Sequence, residues 1–374
     1  MSYQVLYRKY RPKDFSEVVG QDHIVAVIRR QVESGRVAHA YLFSGPRGIG
    51  KTTVARIIAK AVNCEHAAIK GAKKPPCNEC PSCLAFNAGQ AMNLIEIDAA
   101  SNRGIDEIRE LREAVRFAPV SGGTKVYIID EVHQLTKEAF NALLKTLEEP
   151  PSHVVFVLAT TELDRVPPTI TSRTQHFDFR RPRLDIIGKR LMVIAKREGF
   201  TLEPAAADIV AFAAEGSVRD AESMLGKIMA VEDATITEAE VEEILGIPKR
   251  AALLQLFNHI GERELKPALE LVNRLYHDGY EMEYLLKMMV TFFRDALLAK
   301  TDPSFNLASA GSLLPHEGDD LTKRLETYSP SDLANALGGL IDALASVKRT
   351  PIPQLPLELA LIRIMHSHGS LPPQ

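Results

Sequence analysis

The chain predicts an α/β domain followed by an all-α region, and three observations carry that prediction. Short apolar runs separated by helical patterns recur through the first half, at 41–43, 93–98, 125–130 and 154–159. Runs of that length read as buried strands. From residue 184 onward, 3.6-residue periodicity takes over and no persuasive strand pattern appears. Finally, the first strand passes into a helix through Gly45-Pro46-Arg47-Gly48-Ile49-Gly50-Lys51-Thr52-Thr53.

A chain of 374 residues suggests two or three domains, and 45% hydrophobic with 25% charged residues is ordinary globular material. No run of eighteen apolar residues occurs, so no membrane span is expected. The opening MSYQVLYRKYRPKDF lacks the apolar core of a signal peptide, which predicts a cytoplasmic protein. A net charge of −3 argues against a surface built wholly for DNA and leaves room for a local basic patch.

Residues 1–39 precede the first core strand. Arg8, Lys9, Arg11 and Lys13 are interspersed with Tyr3, Tyr7, Tyr10 and Phe15, which suits an arm wrapped on a nucleotide base or simply a solvated arm. Helical periodicity then runs from His23 to Val32.

The glycine-rich loop comes next. Val54, Ile57, Ile58 and Ala61 fall on one helical face after it, so G-x-x-x-x-G-K-T sits between strand and helix, where a phosphate-binding loop belongs. Glycines let backbone N–H groups converge, and the helix N-terminus adds positive potential. Lys51 can reach the β and γ phosphates, and the Thr52 hydroxyl can ligate Mg²⁺. A glycine-rich turn before an ordinary helix is the bland alternative.

All four cysteines, Cys64, Cys77, Cys80 and Cys83, fall close together with spacing C-x12-C-x2-C-x2-C. Four thiolates can close a tetrahedral Zn²⁺ site with no open position, structural in role. An iron–sulfur cluster and unmetallated thiols are the alternatives, and His66 is read as a bystander.

Beyond them, 93–98 reads as a buried strand, and a helix is expected from Ile105 to Phe117 with Ile105, Ile108, Leu111 and Val115 inward. Arg109, Arg112 and Arg116 share a second face, with Arg103 just before the helix. They can track a nucleic-acid backbone or pair with the interleaved Glu107, Glu110 and Glu113. Lys125–Asp130 is a strand ending in Asp130-Glu131, an acidic pair suited to holding Mg²⁺ mostly through water (Asp130) and polarising the attacking water (Glu131). A helix follows at 137–148.

The strand at 154–159 ends in Thr160-Thr161, where a hydroxyl can meet a γ-phosphate. A last strand is expected at 174–179 with His176 and Asp178 facing solvent, and RRPR at 180–183 marks a boundary. The reading from 184 to 245 is all helical, with helices at 185–198, 203–214, from the turn Gly216–Asp220 to Met229, and at 237–245. Further helices are expected near 250–260, 264–278, 281–299, 331–347 and 355–367. The region 301–330 reads as a long connection or one short helix, and HGSLPPQ as the start of a linker.

Taken in order, RPKDFSEVVGQ, GPRGIGKTT, EIDAASNRGIDEIRELRE, IIDEVHQL, FNALLKTLEEP, ATTELDRVPPTITSR and GSVRDAES resemble AAA+ clamp-loader motor subunits. The resemblance is closest to the gamma/tau family of bacterial DNA polymerase III, strong over 4–230 and weak beyond. It implies that Lys51 and Thr52 are the Walker A pair, Asp130 and Glu131 the Walker B pair, and Thr161 the sensor-1 residue. Arg173 corresponds to the arginine of the Ser-Arg-Cys motif, which reaches a neighbour's ATP; Thr174 stands where cysteine is usual. Arg219 resembles the sensor-2 arginine, Val19 with the backbone around Arg11 and Pro12 the adenine-side contacts, and Arg103 positions facing template DNA.

The implied architecture is an AAA+ P-loop NTPase domain with a parallel five-stranded sheet (1–182), a helical lid (183–245), a helical collar (246–366) and a linker-like tail (367–374). The implied function is an ATPase motor, using ATP, Mg²⁺ and structural Zn²⁺, that loads the sliding clamp onto primed DNA. The resemblance also implies membership of the DNA polymerase III holoenzyme, whose complex carries the DNA-directed DNA polymerase activity. Implied partners are copies of itself and delta- and delta-prime-type subunits in a ring, the sliding clamp and primed-template DNA.

Overall fold

The computed structural model describes residues 4–66, 74–119, 122–231, 234–302, 305 and 325–366. Most of the expected connection at 301–330, and the tail 367–374, therefore lie outside the described residues. The chain divides into two compact units, Met1–Ile194 with Ala214–Lys227, and Ala195–Ala213 with Ile228–Gln374.

In the first unit the five strands are β1 (Ala40–Ser44), β2 (Leu94–Asp98), β3 (Lys125–Asp130), β4 (Val154–Thr160) and β5 (Gln175–Asp178). They form one sheet in the order β2-β3-β4-β1-β5, every neighbouring pair parallel. Central strands β1 and β4 are buried along their whole length, which explains their unbroken apolar runs. The edge strands β2 and β5 are half exposed, and His176 and Asp178 face solvent as expected.

Side chains alternate across the sheet and feed two cores. Tyr41 and Phe43 point to the layer holding Ile24 and Ile28 of α2 (Asp22–Glu33) and Val54 and Ile58 of α3 (Lys51–Val62). Ala40 and Leu42 point to the opposite layer, with Ile108 and Leu111 of α5 (Ile105–Val115) and Phe140 and Leu143 of α6 (Lys137–Glu148). Each fully buried Ile, Leu or Phe in these layers contributes roughly 1.5–3 kcal/mol. The Thr136 hydroxyl caps α6 by accepting from Ala139 N–H at 3.2 Å.

Three short helices gave too little periodicity to be anticipated: α1 (Leu6–Lys9), α4 (Pro81–Asn87) and α7 (Pro168–Thr171). The unit also holds most of α8 (Leu184–Glu198) and α10 (Val218–Ile228).

The second unit corrects one expectation. Residues 184–245 are not all helical: β6 (Thr201–Leu202) pairs in parallel with β7 (Thr235–Ile236) on either side of α9 (Pro204–Ala213). Strands of two residues leave no period-2 pattern to read. α11 (Glu238–Leu245) starts on a capping box of Thr237 and Glu240, and packs on α9.

The rest of this unit is α12 (Arg250–Gly261), α13 (Leu265–His277), α14 (Met282–Thr301), α15 (Pro330–Val347) and α16 (Leu355–His366). The described residues here match the expected helices within one or two positions. Along α14, Leu285, Leu286, Met289, Phe292, Phe293 and Ala296 repeat at helical spacing and enter the core. Phe257, Phe292, Phe293 and Tyr328 meet there edge-on or tilted, and the Tyr328 hydroxyl donates to the Phe257 carbonyl. That bond satisfies the polar end of an otherwise buried ring.

Candidate functional site

The carboxyl ends of β1, β3 and β4 point to one cleft, the edge of an open parallel sheet at which ligands bind. The loop after β1 leads into α3, and Lys51 is the first helical residue. Gly50 caps the helix at φ 105°, a backbone that other residues rarely adopt. Gly48, at φ 77°, lies so near Ser217 that a Cβ would stand 2.0 Å from its hydroxyl oxygen. The Arg219 N–H donates to the Gly48 carbonyl at 3.2 Å, so α10 is seated directly on the loop.

Lys51 is buried, and its ammonium donates to the carbonyls of Gly45 at 2.6 Å and Pro46 at 2.7 Å. Burial pushes its pKa down, opposed by the charges of Glu131 and Asp130. The Thr52 hydroxyl donates to Oδ2 of Asp130 at 2.9 Å, and the Glu131 N–H to Oδ1 at 3.0 Å. Glu131 holds a left-handed backbone, φ 47°, at the end of β3. That conformation costs on the order of 1–3 kcal/mol in a non-glycine residue and turns the chain sharply at the cleft. Its Oε2 accepts from the Thr161 hydroxyl at 2.8 Å and from the Thr161 N–H at 3.3 Å.

The cleft brings together most of the residues singled out from the sequence. Arg11, Pro12 and Val19 line it, as do Arg47, Gly48, Ile49, Gly50, Lys51, Thr52 and Thr53, and Asp130, Glu131 and Arg219. Gly45 and Pro46 lie behind the lining and serve through their carbonyls, and Thr161 stands behind Glu131. Arg173 is not among the lining residues. Its guanidinium pairs with Glu148 at 2.8 Å and donates to the Thr169 carbonyl at 2.9 Å on a partly exposed surface.

Four further residues complete the site. The Arg219 guanidinium stacks 4.7 Å from the Tyr7 ring, and this contact lowers the tyrosine pKa. Arg190 pairs with the buried Glu222 at 2.8 Å, and its guanidinium also donates to the Tyr10 carbonyl. Burial raises the Glu222 pKa against the opposing charge of Arg190. His133 is nearly enclosed beside Glu131. Tyr7 belongs to the basic, aromatic arm noted in the sequence, whereas nothing local marks Arg190, Glu222 or His133, whose partners come from other elements.

The four thiols also converge. The sulfur atoms of Cys64, Cys77, Cys80 and Cys83 all lie within 4.8 Å of one another, and His66 stands outside the group. Tetrahedral zinc with Zn–S near 2.3 Å needs S···S separations of about 3.8 Å, and Cys77 and Cys83 are 3.9 Å apart. Burial pushes the Cys77 thiol up, yet the N–H groups of Glu79 and Cys80, at 3.4 and 3.3 Å, outweigh it and hold the pKa at about 6. Burial raises those of Cys64 and Cys83. The donor set fits a closed thiolate site. Lys60 of α3 ties it to the phosphate-binding helix through the carboxamide oxygens of Asn78, 2.5 Å, and Asn87, 2.8 Å.

On α5, Arg109 pairs with Asp106 at 3.0 Å rather than with an interleaved glutamate. Arg103, Arg109 and Arg116 are exposed and Arg112 is half-buried.

Comparison with known proteins finds three family models along the chain. "DNA polymerase III, delta subunit" matches residues 20–183, "DNA polymerase III clamp loader subunit, ATPase lid domain" 186–231, and "DNA polymerase III subunits gamma and tau domain III" 236–374. DNA polymerase III subunit tau of Bacillus subtilis is 43% identical over 99% of this chain and 65% of its own length. The Escherichia coli tau subunit is 37% identical over 100% and 57%. The gamma subunit of Buchnera aphidicola from Acyrthosiphon pisum is 35% identical over 98% and 99%. The chain thus spans roughly three fifths of the tau subunits and nearly all of that gamma subunit. Among solved structures, the Thermotoga maritima RuvB Holliday junction branch migration motor is similar in fold, with TM-score 0.50 and 20% identity over 67% of this chain and 79% of that one.

Proposed function

We propose, from the premise that this chain belongs to the gamma and tau subunit family of DNA polymerase III, that it is the ATP-hydrolysing motor of a clamp loader. It opens a sliding clamp and places it on primed DNA during replication. The observation that carries this reading is the meeting of Lys51, Thr52, Asp130, Glu131 and Arg219 at one cleft, built from three strand ends and the loop before α3.

The residues divide the work. Arg11 and Val19 flank the base, and the N–H groups of 47–53 with the Lys51 ammonium receive the phosphates. Thr52 and Asp130, already joined by a hydrogen bond, would hold Mg²⁺, which would supply charge neutralisation for the phosphates. Glu131 takes a proton from the attacking water, with Thr161 fixing the carboxylate. Arg219 reaches the phosphates from α10, so nucleotide draws that helix onto the loop. Arg173, held outside the cleft by Glu148, serves the nucleotide of a neighbouring copy.

Cys64, Cys77, Cys80 and Cys83 hold one Zn²⁺, whose chemistry is structural: it stabilises the excursion between α3 and β2. The functional division is 1–182 for the nucleotide-binding domain, 183–245 for the lid, 246–366 for the collar through which subunits assemble, and 367–374 for a linker. Partners are further copies, delta- and delta-prime-type subunits, the clamp, and primed DNA reached by Arg103 and the α5 arginines. No helix among the described residues is long and apolar enough to cross a membrane, and we place the protein in the cytoplasm.

Phosphate release by the assembled complex tests the reading. Stimulation by clamp together with primed DNA is expected; stimulation by four-way junctions in their place overturns it.

A further inference from the structure

The His133 side chain is nearly enclosed beside the reacting groups, and the mechanism above gives it no task. Only 3% of its side chain is exposed. Its Nδ1 lies 3.0 Å from the Thr160 hydroxyl and 3.4 Å from Oε2 of Glu131. Its Nε2 lies 3.2 Å from Oε1 of Glu162 and 2.9 Å from the Gln134 carboxamide nitrogen. Glu162 is itself fixed, by Arg165 at 2.9 Å. The imidazole therefore bridges the turn after β3, which carries Glu131, and the chain leaving β4, from Thr160 at the strand's end through Thr161 to Glu162.

We propose that His133 is a positioning residue for Glu131, a proposal that rests on the ATPase reading above. Both ring nitrogens have polar partners, Thr160 and Glu131 at Nδ1 and Glu162 and Gln134 at Nε2, so the ring ties the Glu131 turn to the residues at and just after the end of β4. The contacts on Glu131 all fall on one oxygen: the Thr161 hydroxyl, the Thr161 N–H and the His133 ring edge meet Oε2. Fixing Oε2 turns Oε1 into the oxygen that meets water. A base held on one oxygen by two strands keeps its orientation while nucleotide and DNA shift the surrounding elements. Without the ring, the left-handed turn at Glu131 loses its tie to β4, and the carboxylate can rotate off line.

The test is single-turnover ATP hydrolysis by the full assembly, with nucleotide affinity measured on the same samples. His133→Ala is expected to slow the hydrolytic step on the order of tenfold to a hundredfold, the scale of a misplaced catalytic group, with affinity within about twofold. His133→Gln, whose carboxamide keeps both a donor and an acceptor at this place, should recover to within about fivefold of wild type. In a Glu131→Gln background, adding His133→Ala should change the rate by less than about twofold, because its route through Glu131 is already cut.

A normal rate in His133→Ala overturns the proposal. So does an equal fold-loss in both backgrounds, or a His133→Gln rate as low as that of His133→Ala. If His133→Ala does not fold, His133→Asn and His133→Gln are compared in both backgrounds on the same criteria. Wild-type hydrolysis by Glu131→Gln alone is a separate failure: it removes the role given to Glu131, and the positioning role with it.

Discussion

Replacing Arg190 with methionine isolates one buried charge pair. The side chains of Arg190 and Glu222 are 15% and 5% exposed and 2.8 Å apart, and the guanidinium also caps the Tyr10 carbonyl. Breaking such a pair from one side leaves a buried carboxylate uncompensated, worth about 3–5 kcal/mol. The loss should depend on pH. Burial already holds the Glu222 pKa above its ordinary value while Arg190 pulls it down, so Arg190→Met lets it climb further. A carboxyl whose folded pKa is raised contributes stability that is present below its unfolded pKa and lost as pH rises through the folded one. The deficit of Arg190→Met against wild type should therefore be largest near neutrality and narrow toward pH about 4, where Glu222 is protonated. Adding Glu222→Met should restore at least half of the loss, because an apolar pair needs no counter-charge. Denaturant unfolding of the single and double variants at several pH values is the assay. A neutral-pH deficit under about 1 kcal/mol, or one that does not change with pH, would mean that Glu222 does not depend on Arg190 for its charge.

Metal analysis of purified protein should give about one zinc per chain, and Cys80→Ser should lower stability while sparing ATP affinity; an iron chromophore or metal-free native protein contradicts this. Arg173→Ala should keep nucleotide affinity and lose clamp-dependent hydrolysis. In assemblies of fixed subunit order, Lys51→Ala and Arg173→Ala copies should rebuild activity wherever an intact Arg173 faces an intact Lys51. Neutralising Arg103 or Arg109 should weaken primed-DNA binding for all sequences and reduce its salt slope by about one per residue. Unchanged slopes return Arg109 to its ion pair with Asp106.

The sheet and the phosphate loop were legible because their signals are local. β1 and β4 are buried on both faces and so are apolar throughout, and the G-x-x-x-x-G-K-T spacing is contiguous. The clustered cysteines announced themselves the same way. Arg219 was legible only through family resemblance, since nothing in GSVRDAES says that its helix sits on Gly48. The remainder depended on pairs that form only in three dimensions. His133 meets Thr160 at the end of β4 and Glu162 just after it, and Arg190 meets Glu222 from another helix. The β6–β7 pair was invisible because two residues carry no period. On α5 the sequence offered the interleaved glutamates or a nucleic-acid backbone as partners, and Arg109 instead takes Asp106 at i−3, which reaches it as readily as any glutamate.

On the proposed function, ATP turnover at the Lys51–Glu131 cleft drives clamp transfer. The direct measurement is the number of closed clamps left on primed circular DNA by assemblies carrying wild-type or Glu131→Gln motor subunits, with ATP present. Wild-type assemblies should deposit clamps and dissociate. Glu131→Gln assemblies should bind ATP, clamp and DNA, stay bound, and release closed clamps on the order of a hundredfold more slowly, the effect of losing a general base. Clamp deposition at equal rates by both assemblies contradicts the account.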